Sequence, residues 1–331
     1  MRYLKHFLRL LRYAILAVLA LALGGSIVLT MTERGRDNLA GLISDFISTP
    51  EQSVRLRGID GIWTGELTLD SLAIGDKEGT WLVGRGVAVD WSPLALFSMT
   101  FRAERIFAER IEVARLPKGA EKKADDAAFS LPVSLSLKQI DLPDIAIGPE
   151  LAGGVAAVAA KGSLRADASP LEIEAELNVA RSDGGAGSID ASVHFVPDEN
   201  RIDIDVNGSE PQGGIIANLL QLPDAPPVEI HISGEGPLAN WQGSGTFAVD
   251  GTVITRVEGR HQLTDKGSAI EAKGDGEFQR FVPEKLRPLL SGKTVFDIAG
   301  TATKAGGVIV ERATVESNAL RGSASGSIDP E

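Results

Sequence analysis

Four histidines, His6, His194, His231 and His261, are the first residues to weigh for chemistry in this chain, which has no cysteine. None of the four has a second ligand-type residue at metal spacing such as H-E-x-x-H. His194 and His231 fall inside strand-like runs, where a surface histidine is the simpler reading. The lack of cysteine removes disulfides, thiolate metal sites and cysteine nucleophiles. Serines are plentiful, but none occupies a G-x-S-x-G elbow. Gly184-Gly185-Ala186-Gly187 lacks the lysine and the following helix of a phosphate-binding loop. Asp203 and Asp205, and Glu172, Glu174 and Glu176, are spaced by two, which puts each group on one face of a strand. That spacing suits a solvated outer face better than a paired-carboxylate site. Trp63, Trp81, Trp91 and Trp241 are too scattered for a ligand box. The residues therefore predict a protein that is not an enzyme and uses no metal or cofactor.

The elements that carry these residues follow a different logic. In Leu171-Glu172-Ile173-Glu174-Ala175-Glu176-Leu177-Asn178-Val179 every odd position is apolar and every even position polar. Strand side chains alternate between faces, so this pattern gives one oily and one wet face, whereas a helix would mix them. Similar runs recur, among them Leu131 to Leu137 (with Val133 and Leu135), Ser188 to Val196, and Arg201 to Val206 (with Ile202 and Ile204). Thr294 to Gly300, with Phe296 and Ile298, is another. Short turns between successive runs imply antiparallel neighbours. With 37 glycines the chain can supply many such turns, and with only 5% aromatics the oily faces are mainly aliphatic.

Charge divides the chain. The first twelve residues hold Arg2, Lys5, Arg9 and Arg12 and no acid, so with a total of −12 the remainder carries −16. An acidic body argues against nucleic acid as a partner. From Tyr13 to Thr32 there is no charge. Tyr13, Ile15, Leu16, Val18, Leu19, Leu21, Leu23, Ile27, Val28 and Leu29 form the apolar substance of a segment long enough to cross a bilayer as a helix. The basic cluster before it keeps the N-terminus cytoplasmic. Ala20-Leu21-Ala22 also fits a cleavage site. Cutting there would leave an end beginning at Leu23 that is too apolar for water, so the sequence favours an uncleaved anchor.

The expected layout is a basic cytoplasmic tail (1–12), a transmembrane anchor (12–31) and an amphipathic helix (32–48) with Leu39, Leu42, Ile43, Phe46 and Ile47 on one face. An N-terminal β unit (53–116), a charged linker (117–130) and a repetitive β region (131–331) follow. Two short helical breaks, Gly213 to Pro223 and Val282 to Leu290, lie about 70 residues apart and suggest a weak repeat. The last residues carry no capping pattern, so the chain is expected to be truncated or to pair with more protein at its C-terminus.

The fold class expected is mainly β: a transmembrane helix, then an extended antiparallel sheet with short helices. Two arrangements satisfy the alternation. In a sandwich the oily face packs on a second sheet, with turns every 8–12 residues or about that. In a curled trough it stays open and is chemically matched to acyl chains. The aliphatic lining and the single anchor favour the trough. Roughly 16 strands would extend it on the order of 75 Å.

Particular stretches resemble the TamB family of the AsmA-like superfamily. Gly61-Ile62-Trp63-Thr64-Gly65-Glu66-Leu67-Thr68-Leu69 and Val89-Asp90-Trp91-Ser92-Pro93-Leu94-Ala95-Leu96 look like its N-terminal part. Leu219-Leu220-Gln221-Leu222-Pro223-Asp224-Ala225-Pro226-Pro227, followed by Gly234-Glu235-Gly236-Pro237-Leu238, resembles its alphaproteobacterial repeat region. The resemblance implies an inner-membrane anchor, a periplasmic β-taco, and a part in outer-membrane biogenesis by lipid transport or by protein assembly and secretion. It implies a TamA-like outer-membrane barrel as partner of the longer family members. The domain with which they dock on it has no counterpart in these 331 residues. The groove residues expected on this reading are Leu131, Val133, Leu135, Leu137, Leu171, Ile173, Leu177, Val179, Ile202, Ile204, Val206, Phe296 and Ile298, with membrane lipids as ligand. A scaffold or chaperone pairing with nascent barrel strands through sheet edges is the alternative.

Overall fold

A period of two commits the backbone to strands, and strands must pair. In the computed structural model sixteen of them do so in strict sequence order within one sheet, whose first and last strands do not meet. It describes residues 32–49, 51–62, 64–117, 131, 133–237, 239–282, 284–304 and 306–328. The expected anchor (12–31) lies outside the described residues, as do His6, Trp63 and most of the linker 117–130. Among the described residues no helix is long and apolar enough to cross a membrane.

The strands are β1 (Ser53–Arg57), β2 (Glu66–Asp76), β3 (Gly79–Trp91), β4 (Thr100–Val113), β5 (Ser134–Ile147), β6 (Ala156–Ala168), β7 (Leu171–Arg181) and β8 (Ser188–Val196). They continue as β9 (Arg201–Glu210), β10 (Val228–Glu235), β11 (Asn240–Val249), β12 (Thr252–Thr264), β13 (Gly267–Gly276), β14 (Thr294–Thr303), β15 (Val308–Glu316) and β16 (Arg321–Ile328). Every pair is antiparallel except β4–β5, which is parallel. The expected all-antiparallel sheet is therefore corrected to a mixed one. A parallel step needs a long return connection, and residues 114–133 supply it. β4 and β5, the one step at which the strands do not alternate, run in the same direction on either side of this connection. Arg115 pins its start, donating at 2.7 and 2.5 Å to the Asp76 carboxylate at the β2–β3 turn.

β5 runs through two stretches that break its alternation. Ladder shifts between Leu137 and Ile140 and between Leu142 and Ile145 absorb extra residues, Pro143 among them. Such bulges return the apolar side chains to one face.

Helix α1 (Glu33–Ile47) begins at Thr32, whose hydroxyl accepts the Gly35 N–H. It runs antiparallel to β1 along the outer edge of the sheet. Ser48 Oγ accepts the Val54 N–H at 2.9 Å and Ser44 Oγ accepts the Leu56 N–H at 3.0 Å. The hydroxyls thus satisfy edge donors that would otherwise invite another strand. The buried side of α1 is not wholly the expected one: Ala40 and Ser44 are buried, whereas Leu42 is 68% exposed and Ile47 is also exposed. Small residues are needed there because the helix lies close enough for Ser44 to reach the β1 backbone. Ala40, with Ile59 and Leu69, forms a small core that covers the first strands.

Other helical segments sit between strands; Pro93–Ser98 and Pro197–Glu199 are 3-10 turns at the β3–β4 and β8–β9 connections. α2 (Pro149–Ala152) joins β5 to β6, α3 (Ile215–Leu219) joins β9 to β10, and two 3-10 turns (Phe278–Phe281 and Glu284–Leu290) join β13 to β14. The alternating strand directions put all three inserts on one long margin, called lower here, where β1 begins. The second expected helical break is a 3-10 helix, with Pro288 inside it. The repeat is thus one insert every four strands, and α2 is a member that large apolar residues did not signal. α2 and α3 meet: Gly153, at a left-handed φ of 69°, lies against Asn218 so closely that a Cβ there would stand 2.3 Å from its Oδ1. Beyond α3, Leu222 packs with Ala217, Val228, Val249 and Ile254.

Ser44→Ala removes the acceptor of the Leu56 N–H. It is expected to cost about 1–3 kcal/mol and to speed hydrogen exchange at Leu56 before Leu69. Exchange measured by mass spectrometry checks this; unchanged protection at Leu56 would show that Ser44 does not hold the edge.

Candidate functional site, an uncovered apolar face

Residues directly opposite in a ladder point to the same face. From β6 to β15 one such row reads Gly162, Leu177, Ala191, Val206, Ile232, Gly245, Val257, Gly274, Phe296 and Val315. The next row, on the other face, reads Ser163, Glu176, Ser192, Asp205, Ser233, Ser244, Glu258, Lys273, Asp297 and Thr314. The apolar face extends into the first strands through Leu69, Val87, Ile106 and Ile140.

Eleven of the expected groove residues lie on this face: Leu135, Leu137, Leu171, Ile173, Leu177, Val179, Ile202, Ile204, Val206, Phe296 and Ile298. Leu131 and Val133 do not join them, because β5 starts at Ser134 and they precede the ladder. Residues not anticipated on the face include Ile230, Ile232, Trp241, Phe247 and Val257. Between Trp241 and Phe247 the face positions are Gly243 and Gly245, which obscures the alternation there.

A second sheet would bury this face completely. Among the described residues there is one sheet, and Val228 and Thr294 are the largest fully buried side chains. Ile270 is 55% exposed, and Leu177, Ile232 and Ile298 are also exposed. Cover is confined to α1 at the first strands and to the inserts along the lower margin.

Rings lie over glycines on this face. A Cβ at Gly234 would fall 2.0 Å from Trp241 Cζ2, and one at Gly243 would fall 2.4 Å from Trp241 Cη2, so both positions must be bare for the indole to lie there. Phe296 sits likewise over Gly274. Beside Trp241 is an apolar cavity of about 350 Å³, walled by Ile230, Ile232, Phe247 and Val257 above Gly245 and Gly259. A Cβ at Gly245 would meet nothing nearer than 3.7 Å, and one at Gly259 nothing nearer than 4.0 Å. Space, not backbone strain, distinguishes these two glycines, a circumstance that often accompanies close approach of a ligand.

A larger cavity, about 890 Å³, lies on the polar face and is lined by Glu174, His194, Asp203, Glu258 and Arg260 among others. Two of its groups, His194 and Asp203, are engaged with each other or with neighbouring side chains, and His231, outside it, likewise has a partner. Arg201 donates to Asp203 at 2.6 Å, and His194 stands 3.5 Å from Glu172 and 3.9 Å from Asp203. His231 Nδ1 is 2.6 Å from Asn207 Oδ1. No group of three or more metal-ligating side chains occurs among the described residues. The apolar face is therefore the better candidate site, although the polar cavity is the larger.

At the lower margin Arg181 grips Asp183 at 3.0 and 2.6 Å, and Asp183 also accepts N–H bonds from Ala157 and Gly185. The Arg181 guanidinium first, and then these two N–H groups, hold the Asp183 carboxyl well below the usual carboxylate range against the opposing effect of burial. The contact ties the β7–β8 turn to the start of β6.

No protein-family model matches the chain, and neither a curated protein nor a solved structure is found to match it.

Because the folded-state pKa of Asp183 is depressed, its contribution is complete above the unfolded value near 4 and is lost as pH falls through the folded value. The difference in urea midpoint between the wild type and Asp183→Asn is expected to be constant between about pH 5 and pH 7 and to narrow below about pH 4. A difference independent of pH would show that the ion pair contributes nothing.

Proposed function

We propose that this chain is a membrane-anchored, non-enzymatic carrier of phospholipid. Its sheet would curl as a trough whose aliphatic face holds acyl chains while headgroups stay at an open margin. The observation that carries the reading is the apolar face itself, continuous from strand to strand, bare of a second sheet among the described residues and backed by a mainly polar face. Hydrocarbon suits such a face for a specific reason. The interior strands have their backbone groups paired on both sides, so a ligand bringing its own unpaired polar groups would find no partners there. The cavity beside Trp241, at about 350 Å³, falls within the usual range for small-ligand sites.

On the resemblance to the TamB family, the apolar segment 12–31 anchors the chain in the inner membrane with the sheet in the periplasm. The activity belongs to outer-membrane biogenesis, with a TamA-like barrel as partner of longer family members.

A second reading has its own observation. All eight residues of β16 are exposed, and its outer edge has no strand partner among the described residues. Such an edge suits strand addition by another protein, as a scaffold or chaperone would use.

Photo-crosslinking residues placed singly at Ile173, Ile204 and Ile298 are expected to capture phospholipid in cells, whereas Glu174 on the opposite face captures none. Equal capture from both faces, or none from either, would overturn the carrier reading. Protein adducts confined to β16 would favour the second.

A further inference from the structure

The turn between β3 and β4 is unlike the rest of the molecule. Pro93–Ser98 forms a 3-10 helix that ends at Met99, and its large side chains point away from any core. Phe97 is 89% exposed, Leu94 77% and Met99 61%. A soluble protein seldom presents adjacent large apolar groups this bare without something to cover them.

Its place in the fold identifies the cover. β3 ends and β4 begins at the upper margin, opposite the inserts. Helix α1 runs downward along β1, since Ser48 bonds Val54 at the start of β1 and Arg36 pairs with Asp60 beyond its end. The N-terminus of α1 is therefore at the upper margin too. Contacts join the two places. Asp60 pairs with Thr68 on β2, and the Trp91 N–H donates to Gly65 O at 2.7 Å beside Pro93. Only three strand spacings, roughly 15 Å, separate β1 from β4. The uncharged segment ending at Thr32 runs directly into α1 with no spacer.

We propose that the Pro93–Met99 turn is a second membrane contact, inserting Leu94, Phe97 and Met99 into the headgroup–acyl boundary of the bilayer that holds the N-terminal anchor. The inference rests on the anchor reading of residues 12–31. Two attachments at one corner would restrain rotation about the anchor and set the upper margin of the first strands against the lipid surface. Insertion to that depth matches known interfacial apolar groups.

The absence of native cysteine allows single labelling. The full chain carrying Phe97→Cys, or Val155→Cys as control, is labelled with an environment-sensitive fluorophore. It is then reconstituted into phosphatidylethanolamine–phosphatidylglycerol vesicles that contain a nitroxide-bearing lipid. Val155 is 92% exposed and lies at the opposite, lower margin. The label at 97 is expected to be quenched by the nitroxide and shielded from aqueous iodide, and the label at 155 to show the reverse. Equal iodide access at both positions, in a chain that resists carbonate extraction, would overturn the inference and leave the anchor reading intact. Shielding at 97 without nitroxide quenching would also overturn it, since a second copy rather than lipid would then cover the turn. Release of the chain by carbonate would overturn the anchor reading and this inference together.

Discussion

Register is the constraint on which everything else here depends. Side chains alternate with a period of two, so a slip of one residue in any ladder would send its apolar set to the polar face. Because β1 to β16 pair only with their neighbours in sequence, an uncorrected error would be passed along to every later strand. The ladders contain corrections. Shifts at Ile74/Gly75, Asp90/Trp91, Phe247/Ala248 and Ala299/Gly300, with the two in β5, let imperfect alternation in sequence become an uninterrupted face in space.

A sheet that does not close has two edges and two long margins, and these are treated differently. At the β1 edge, α1 lays serine hydroxyls against the outward N–H groups. At the lower margin, α2, α3 and the 3-10 turns recur every four strands and bring the nearest thing to a core, around Val228 and Val249. Each strand otherwise pairs only with its neighbours. Stability in such an array is close to a sum of local terms, so a weakened ladder loosens its surroundings rather than the whole.

The asymmetry between faces links this architecture to function. Polar and charged groups on the polar face find partners on their own or the adjacent strand: Arg201 with Asp203, Asn178 with Asp190, Arg312 with Asp297. The apolar face has no comparable partner among the described residues. Where aromatic rings lie on it, glycines beneath make room, and beside Trp241 further glycines leave space that no protein atom fills. That space is apolar on its walls, which is the feature the proposed carrier role draws on.

The sequence by itself determined the strands, their alternation and the apolar class of the site. Leu171–Val179 is a strand on its own evidence because period two is a local property, and β7 follows it almost residue for residue. Most of the predicted face residues share one face for the same reason. Local pattern could not determine what depends on a distant neighbour. The parallel β4–β5 step is decided by which strand lies across the linker, and the unity of β5 by bulges that absorb Pro143. The inward side of α1 is small because β1 lies close, which counting large apolar residues misses. Trp241 becomes a wall only because glycines two strands wide lie beneath it. Whether the oily face is a sandwich core or an uncovered surface was open in the sequence, since both demand the same alternation. Tertiary structure decided it, because the pairing of all sixteen strands into one sheet leaves no second sheet among the described residues to bury that face.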